Sequence, residues 1–121
     1  MTDTLKLTSE LINRKTLTPD DNGCQKIIAE RLIKNRFNAE HLRFDDVDNL
    51  WITHGNSGPL FVFAGHTDTV PVGPIEKWNT DPFKAEIKEG YLYGRGAADM
   101  KSGIAAMVTA AERYVEKNPD H

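Results

Sequence analysis

An apolar run that ends in a histidine and an aspartate constrains this chain more than any other feature. Residues 60–64 read Leu-Phe-Val-Phe-Ala, and residues 65–68 continue as Gly-His-Thr-Asp. A run of this length without polar side chains is typical of a central strand that is covered on both faces. Because side chains alternate along an extended chain, His66 and Asp68 are expected to project on the same side. The sequence therefore predicts a buried strand with an imidazole and a carboxylate at its end.

The composition indicates one small globular domain. The chain has 121 residues, of which 39% are hydrophobic and 27% charged, and such a chain supports a single core. The net charge of -3 gives no reason to expect a nucleic acid or an anionic membrane as a partner. The one cysteine, Cys24, excludes an intrachain disulfide and a zinc site built from cysteines, and it fits a reducing, cytoplasmic compartment. Neither a secretory signal nor a membrane span is expected.

The periodicity of apolar residues predicts helices on both sides of this run. A first helix should end near Arg14, a second should begin with Thr18 as its cap and Pro19 in its first turn, and a third should cover residues 102–117. Short strands are predicted at residues 42–44, 50–53, 84–88 and 91–93. This order of elements predicts an α/β fold. No strand follows the last helix, so we expect an interrupted domain.

A second carboxylate stands in a glycine-rich turn before the last predicted helix. Residues 94–101 read Gly-Arg-Gly-Ala-Ala-Asp-Met-Lys, which places Asp99 in this turn. Asp99 and His66 together predict a carboxylate and an imidazole in one crevice, and both are natural zinc ligands. Two alternatives stay open: His66 could be satisfied by local hydrogen bonds, and Asp99 could cap the last helix. Arg95 and Lys101 are expected to be surface charges.

The motifs resemble those of the di-zinc aminoacylase and carboxypeptidase family. The similarity lies in residues 65–71 (Gly-His-Thr-Asp-Thr-Val-Pro), residues 90–101 and residues 18–25 (Thr-Pro-Asp-Asp-Asn-Gly-Cys-Gln), and it covers nearly the whole chain. It implies that residues 1–121 are the N-terminal part of a metallohydrolase catalytic domain, an α/β fold with a mixed sheet flanked by helices. The remainder of that domain and a dimerisation domain would then be absent from this chain.

The resemblance also implies roles for three residues. His66 would bind one zinc ion, and Asp99 would bridge two zinc ions and be followed by a cis peptide bond to Met100. Asp68 would act in catalysis by orienting His66. Two zinc ions with one shared bridge need about five protein ligands, whereas this chain supplies His66 and Asp99. We therefore expect weak metal binding, of zinc or cobalt, by this chain alone.

The activity that the resemblance implies is hydrolysis of the amide bond of an acyl-amino acid. The expected substrate is N-succinyl-LL-2,6-diaminopimelate, which belongs to lysine and diaminopimelate biosynthesis. The parent enzyme would be a cytoplasmic homodimer that binds this small molecule and neither nucleic acid nor membrane, while the 121-residue chain alone should be inactive. Two alternatives remain, a non-catalytic fragment or binding module and a related amidohydrolase for another acyl-amino acid.

Overall fold

Three α-helices and two β-hairpins make up the fold. The computed structural model describes all residues, Met1–His121. The elements are α1 (Asp3–Ile12), α2 (Cys24–Ile33), β1 (Asn38–Phe44), β2 (Val47–Thr53), β3 (Glu86–Lys88), β4 (Tyr91–Tyr93) and α3 (Ser102–Lys117). Strand β1 pairs antiparallel with β2, and β3 pairs antiparallel with β4. The predicted α/β class is confirmed, but the strands form two separate antiparallel hairpins rather than one mixed sheet.

The core lies between the three helices. Each helix contributes apolar side chains, and the buried cluster consists of Leu7, Leu11, Cys24, Ile28, Leu32, Ile104, Ala105 and Val108. Burial of such side chains stabilises the fold by about 25 cal/mol per Å² of apolar surface. The predicted positions of α1 and α3 are confirmed because their apolar periodicity matches the faces that pack here. No helix combines the length and apolar character that a membrane span requires.

The second helix begins later than its sequence predicts. Helix α2 begins at Cys24, after Gly23 with a left-handed φ of 85°. Thr18 and Pro19 lie in the preceding loop, and the hydroxyl of Thr18 donates to the carboxylate of Asp68 instead of capping a helix. The predicted start was wrong because a tertiary hydrogen bond occupies the side chain that the local capping signal uses.

The predicted buried strand at residues 60–64 is exposed and unpaired. Leu60 and Phe61 are 78% and 80% exposed, and Val62 and Phe63 are 51% and 50% exposed. Neither hairpin includes this segment. The prediction of a covered central strand was wrong for this chain because such a strand needs neighbouring strands and layers on both sides. Apolar composition alone does not supply them.

The second hairpin leads the chain into the turn that carries Asp99. Glu89 and Gly90 connect β3 and β4 with φ values of 53° and 81°, the left-handed pair that a two-residue hairpin turn requires. The predicted hairpin is confirmed, with its first strand beginning at Glu86 instead of residue 84. Residues 94–96 then turn the chain towards α3, and the main-chain N–H of Arg95 donates to the carbonyl of Pro82 at 2.6 Å.

Candidate metal centre

The imidazole of His66 and the carboxylate of Asp99 meet at the protein surface. His66 Nε2 lies 3.1 Å from Asp99 Oδ1. The two side chains are 49% and 86% exposed, so both can be reached from solvent. The structure thus brings together the two residues that the sequence predicts to share a crevice. Their role as metal ligands stays a prediction at this point.

The other side of the imidazole is held by Asp68. His66 Nδ1 lies 2.9 Å from the main-chain oxygen of Asp68 and 3.4 Å from its carboxylate oxygen Oδ1. Two acceptors face Nδ1 and one, Asp99 Oδ1, faces Nε2, so the contacts favour the neutral tautomer with its proton on Nδ1. In the neutral ring Nε2 then presents its lone pair to Asp99. Asp68 therefore stands where a carboxylate that orients His66 is expected to stand.

The electrostatics of this pair favour a positive charge between the two side chains. A lone pair on His66 Nε2 and a carboxylate oxygen repel each other unless a proton or a cation lies between them. The hydrogen bond to the Asp68 carbonyl, and next the hydrogen bond to the Asp99 carboxylate, raise the pKa of His66. In the absence of a metal, the two carboxylate-bearing neighbours therefore favour the protonated, positively charged form of the His66 ring.

The geometry of the pair fits two ligands of one metal ion. Two donors at about 2.0–2.2 Å from a tetrahedral zinc ion lie about 3.3–3.6 Å apart, so a small separation of the two side chains would admit the ion. The separation of 3.1 Å between His66 Nε2 and Asp99 Oδ1 is close to that range. The structure contains no group of three or more His, Cys, Asp or Glu side chains arranged to hold a metal ion. His66 and Asp99 therefore remain the two predicted metal ligands of this chain.

An irregular turn keeps Asp99 out of helix α3. Asp99 (φ −125°, ψ 97°) and Met100 (φ −136°, ψ 34°) lie outside helical values. The peptide bond between them is cis, as the resemblance implies. No side chain caps the start of α3 at Ser102. The alternative that Asp99 is a helix cap was therefore wrong, and its carboxylate is directed to His66 instead.

The sequence reasoning missed the position of Lys101. This side chain was expected at the surface, but it is 1% exposed. Its Nζ donates to the carbonyl oxygens of Leu11 at 2.8 Å and Arg14 at 3.0 Å, where helix α1 ends. Burial lowers the pKa of Lys101. Arg95 is likewise partly buried, with its guanidinium 5.2 Å from the centre of the Trp78 ring.

Comparison with known proteins places these residues in a family. The sequence profile of Peptidase family M20/M25/M40 matches residues 62–121, the segment that contains His66, Asp68 and Asp99. Residues 62–121 of this chain belong to this family. The match begins within the exposed apolar run and extends to the end of the chain, so it includes both candidate ligands and helix α3.

Several relatives that share one name match nearly the whole chain. It is 60% identical over 121 residues to the succinyl-diaminopimelate desuccinylase of Thioalkalivibrio sulfidiphilus. It is 57% identical over 119 residues to the proteins of the same name from Acinetobacter baylyi and from Acinetobacter baumannii strain ACICU. The matches cover 98% to 100% of this chain but 32% of each relative. The chain thus spans about a third of the length of these curated relatives.

Proposed function

We propose that this chain is the N-terminal part of a metal-dependent amidohydrolase. The reaction would convert N-succinyl-LL-2,6-diaminopimelate and water into succinate and LL-diaminopimelate in the cytoplasm. The observation that carries the proposal is the 3.1 Å approach of His66 and Asp99 inside the segment that the family profile matches. The 60% identity to a protein named succinyl-diaminopimelate desuccinylase supports this substrate.

The residues of this chain would bind and orient the metal. His66 Nε2 and Asp99 Oδ1 are the proposed ligands, and Asp68 keeps the proton of the imidazole on Nδ1. When bound, zinc or cobalt would polarise the amide carbonyl and lower the pKa of a water molecule to about 7. We propose two such ions, with the general base and the other ligands supplied from outside residues 1–121. Dimerisation would also depend on a part of the enzyme outside these residues.

Metal binding can be tested on the 121-residue chain itself. Calorimetry with Zn²⁺ and absorption spectroscopy with Co²⁺ should detect weak binding that His66→Ala and Asp99→Ala both abolish. His41→Ala is the matched control, because His41 is an exposed histidine on β1. Binding that survives both ligand substitutions would show that the metal sits elsewhere and would contradict the proposed site.

Activity can be tested by restoring the length of the relatives. The chain alone should release no succinate, whereas a chimera that continues into the remaining part of the Thioalkalivibrio sulfidiphilus relative should be active. In that chimera, His66→Ala should lower kcat by more than about 100-fold, because the metal would lose a ligand. Faster turnover of N-acetylornithine than of the succinylated substrate would indicate a different acyl-amino acid specificity.

The exposed apolar segment favours a second candidate function. Leu60, Phe61, Val62 and Phe63 are all at least half exposed, and apolar segments of this kind mark interaction surfaces. The chain could therefore act as a non-catalytic binding module, with the remainder of its own enzyme as the partner. Analytical ultracentrifugation would decide this: a monomer with no affinity for the C-terminal part of the relative would exclude it.

A further inference from the structure

We propose that Thr18 is a positioning residue for the His66–Asp68 pair. Its hydroxyl would hold the carboxylate of Asp68, and through it the tautomer and orientation of the His66 ring. The importance of this contact for catalysis rests on the proposed function. The contact and its effect on the imidazole can be tested without any catalytic assay.

The two oxygens of the Asp68 carboxylate have different partners. Thr18 Oγ1 donates to Oδ2, while Oδ1 lies 3.4 Å from His66 Nδ1. The Thr18 hydroxyl also lies 3.2 Å from the carbonyl oxygen of Thr69, which makes the carboxylate its closer acceptor. Rotation of the carboxylate would separate it from Thr18 and His66 at once. The hydroxyl thus restricts the angle at which the Asp68 carboxylate faces the imidazole, in addition to the 2.9 Å contact of Nδ1 with the main-chain oxygen of Asp68.

The main chain places the Thr18 hydroxyl at this carboxylate. The N–H of Thr18 donates to the carbonyl of Thr69 at 3.0 Å, and the N–H of Thr69 donates to the carbonyl of Thr16 at 2.6 Å. Leu17 and Thr69 form a parallel bridge between these bonds. The loop before α2 therefore runs beside the loop that carries His66. Thr18 reaches Asp68 from a backbone that is held on both sides.

A second side-chain contact joins the same two loops. The hydroxyl of Thr67 donates to Asp21 Oδ1, and the other oxygen of this carboxylate accepts the N–H of Gln25 at 2.9 Å. Each loop thus donates a threonine hydroxyl to an aspartate of the other loop, Thr18 to Asp68 and Thr67 to Asp21. Because Asp21 is in turn bonded at the start of α2, the loop of His66 is connected to a helix of the core.

Thr18 lies outside the packed core, so its effect on His66 can be distinguished from an effect on folding. Thr18 is exposed, whereas the neighbouring Thr16 is buried. Exposed side chains away from the core contribute little to folding when they are replaced by residues of the same shape. The hydroxyl of Thr18 can therefore be removed with little effect on the fold. Any change at His66 then reports on the contact with Asp68.

The experiment compares Thr18→Val, which has the same shape without a donor, with Thr18→Ser, which keeps the hydroxyl. The metal-free chain is labelled with ¹⁵N, and the imidazole nitrogens of His66 are observed by NMR at a pH where the ring is neutral. The wild type and Thr18→Ser should show the Nδ1–H tautomer. Thr18→Val should shift the ring towards a mixture of tautomers and lower Zn²⁺ affinity about tenfold, as loss of an outer-sphere partner does. Thr80→Val is the control for a threonine in another loop.

Three results would overturn the inference. An unchanged tautomer in Thr18→Val would show that the hydroxyl does not orient the ring. A Thr18→Ser chain that behaves like Thr18→Val would show that a hydroxyl at this position is not sufficient to orient the ring. Amide signals that shift throughout the Thr18→Val chain would assign the effect to folding. If the wild type binds no Zn²⁺ but the tautomer still depends on Thr18, the positioning role holds and the proposed metal site in this chain fails.

Discussion

The Nζ of Lys101 donates a hydrogen bond of 2.8 Å to the carbonyl oxygen of Leu11. A second bond of 3.0 Å reaches the carbonyl of Arg14, just beyond helix α1. Lys101 also donates its main-chain N–H to Gly96 at 2.8 Å. The turn that presents Asp99 is therefore fastened to the end of α1 by a residue two positions later in the chain.

Replacing Lys101 by Met should destabilise the fold. The carbonyl of Arg14 would lose its donor inside the protein, while the carbonyl of Leu11 would keep the N–H of Arg14 at 3.1 Å. The unpaired Arg14 carbonyl should cost about 1–3 kcal/mol of unfolding free energy. Urea denaturation followed by circular dichroism measures the change. The control Lys77→Met, at an exposed lysine, should stay within about 0.5 kcal/mol of the wild type. Equal stability of the two variants would contradict the anchoring role of Lys101.

Gly96→Ala should be more damaging than Gly58→Ala. Both glycines have a φ of 82°, so the two substitutions carry the same backbone cost, about 1 kcal/mol each. A Cβ at Gly96 would lie 2.8 Å from Thr69 Cγ2, whereas a Cβ at Gly58 has nothing within 4 Å. We expect Gly96→Ala to lose about 1–2 kcal/mol more in thermal or urea unfolding. Similar losses would show that the contact with Thr69 relaxes without cost.

The pair Arg31 and Glu112 should couple α2 to α3. Arg31 Nε and Nη2 donate to the two carboxylate oxygens of Glu112 at 2.6 and 2.9 Å. Both side chains are largely buried, at 28% and 19% exposure, and the bond to Glu112 raises the pKa of Arg31. A double-mutant cycle with Arg31→Met and Glu112→Gln should yield a coupling of about 1 kcal/mol.

A matched cycle on an exposed pair provides the control. Arg43 and Asp48 also form an ion pair of 2.8 Å, but their side chains are 60% and 55% exposed. Solvent screens such a pair, so its coupling should be below about 0.5 kcal/mol and should vanish at high salt. A coupling at Arg43 and Asp48 as large as that of the interhelical pair would contradict the effect ascribed to burial.

Stability should fall at alkaline pH because of Cys24. Burial raises the pKa of this thiol from 9.0 to about 11. The native state thus favours the protonated thiol, so its contribution is fully present below pH 9.0 and is lost as the pH rises through about 11. As the pH rises between these limits, the unfolding free energy of the wild type should fall by up to about 3 kcal/mol more than that of Cys24→Ala. Parallel pH profiles of the two chains would contradict this assignment.

Several features of the fold could be predicted from the sequence because they depend on neighbouring residues. Helix α3 has apolar residues such as Ile104 and Val108 at helical spacing, and the Glu89-Gly90 pair suits the backbone of a tight hairpin turn. The meeting of His66 and Asp99 was also predicted, although residues 60–64, the strand expected to end there, do not form a strand. For the helix and the hairpin turn, the signal lies within a short stretch of chain.

The sequence by itself determined the helical periodicity, the hairpin turn and the residues that carry an imidazole and two carboxylates. Only the tertiary structure decided that Thr18 holds Asp68 across 50 residues and that Lys101 reaches Leu11 across 90. It also decided that the apolar residues 60–63 lie exposed. The physical reason is that periodicity and turn geometry arise from adjacent residues, whereas burial and a distant hydrogen-bond partner depend on which surfaces the packed chain brings together.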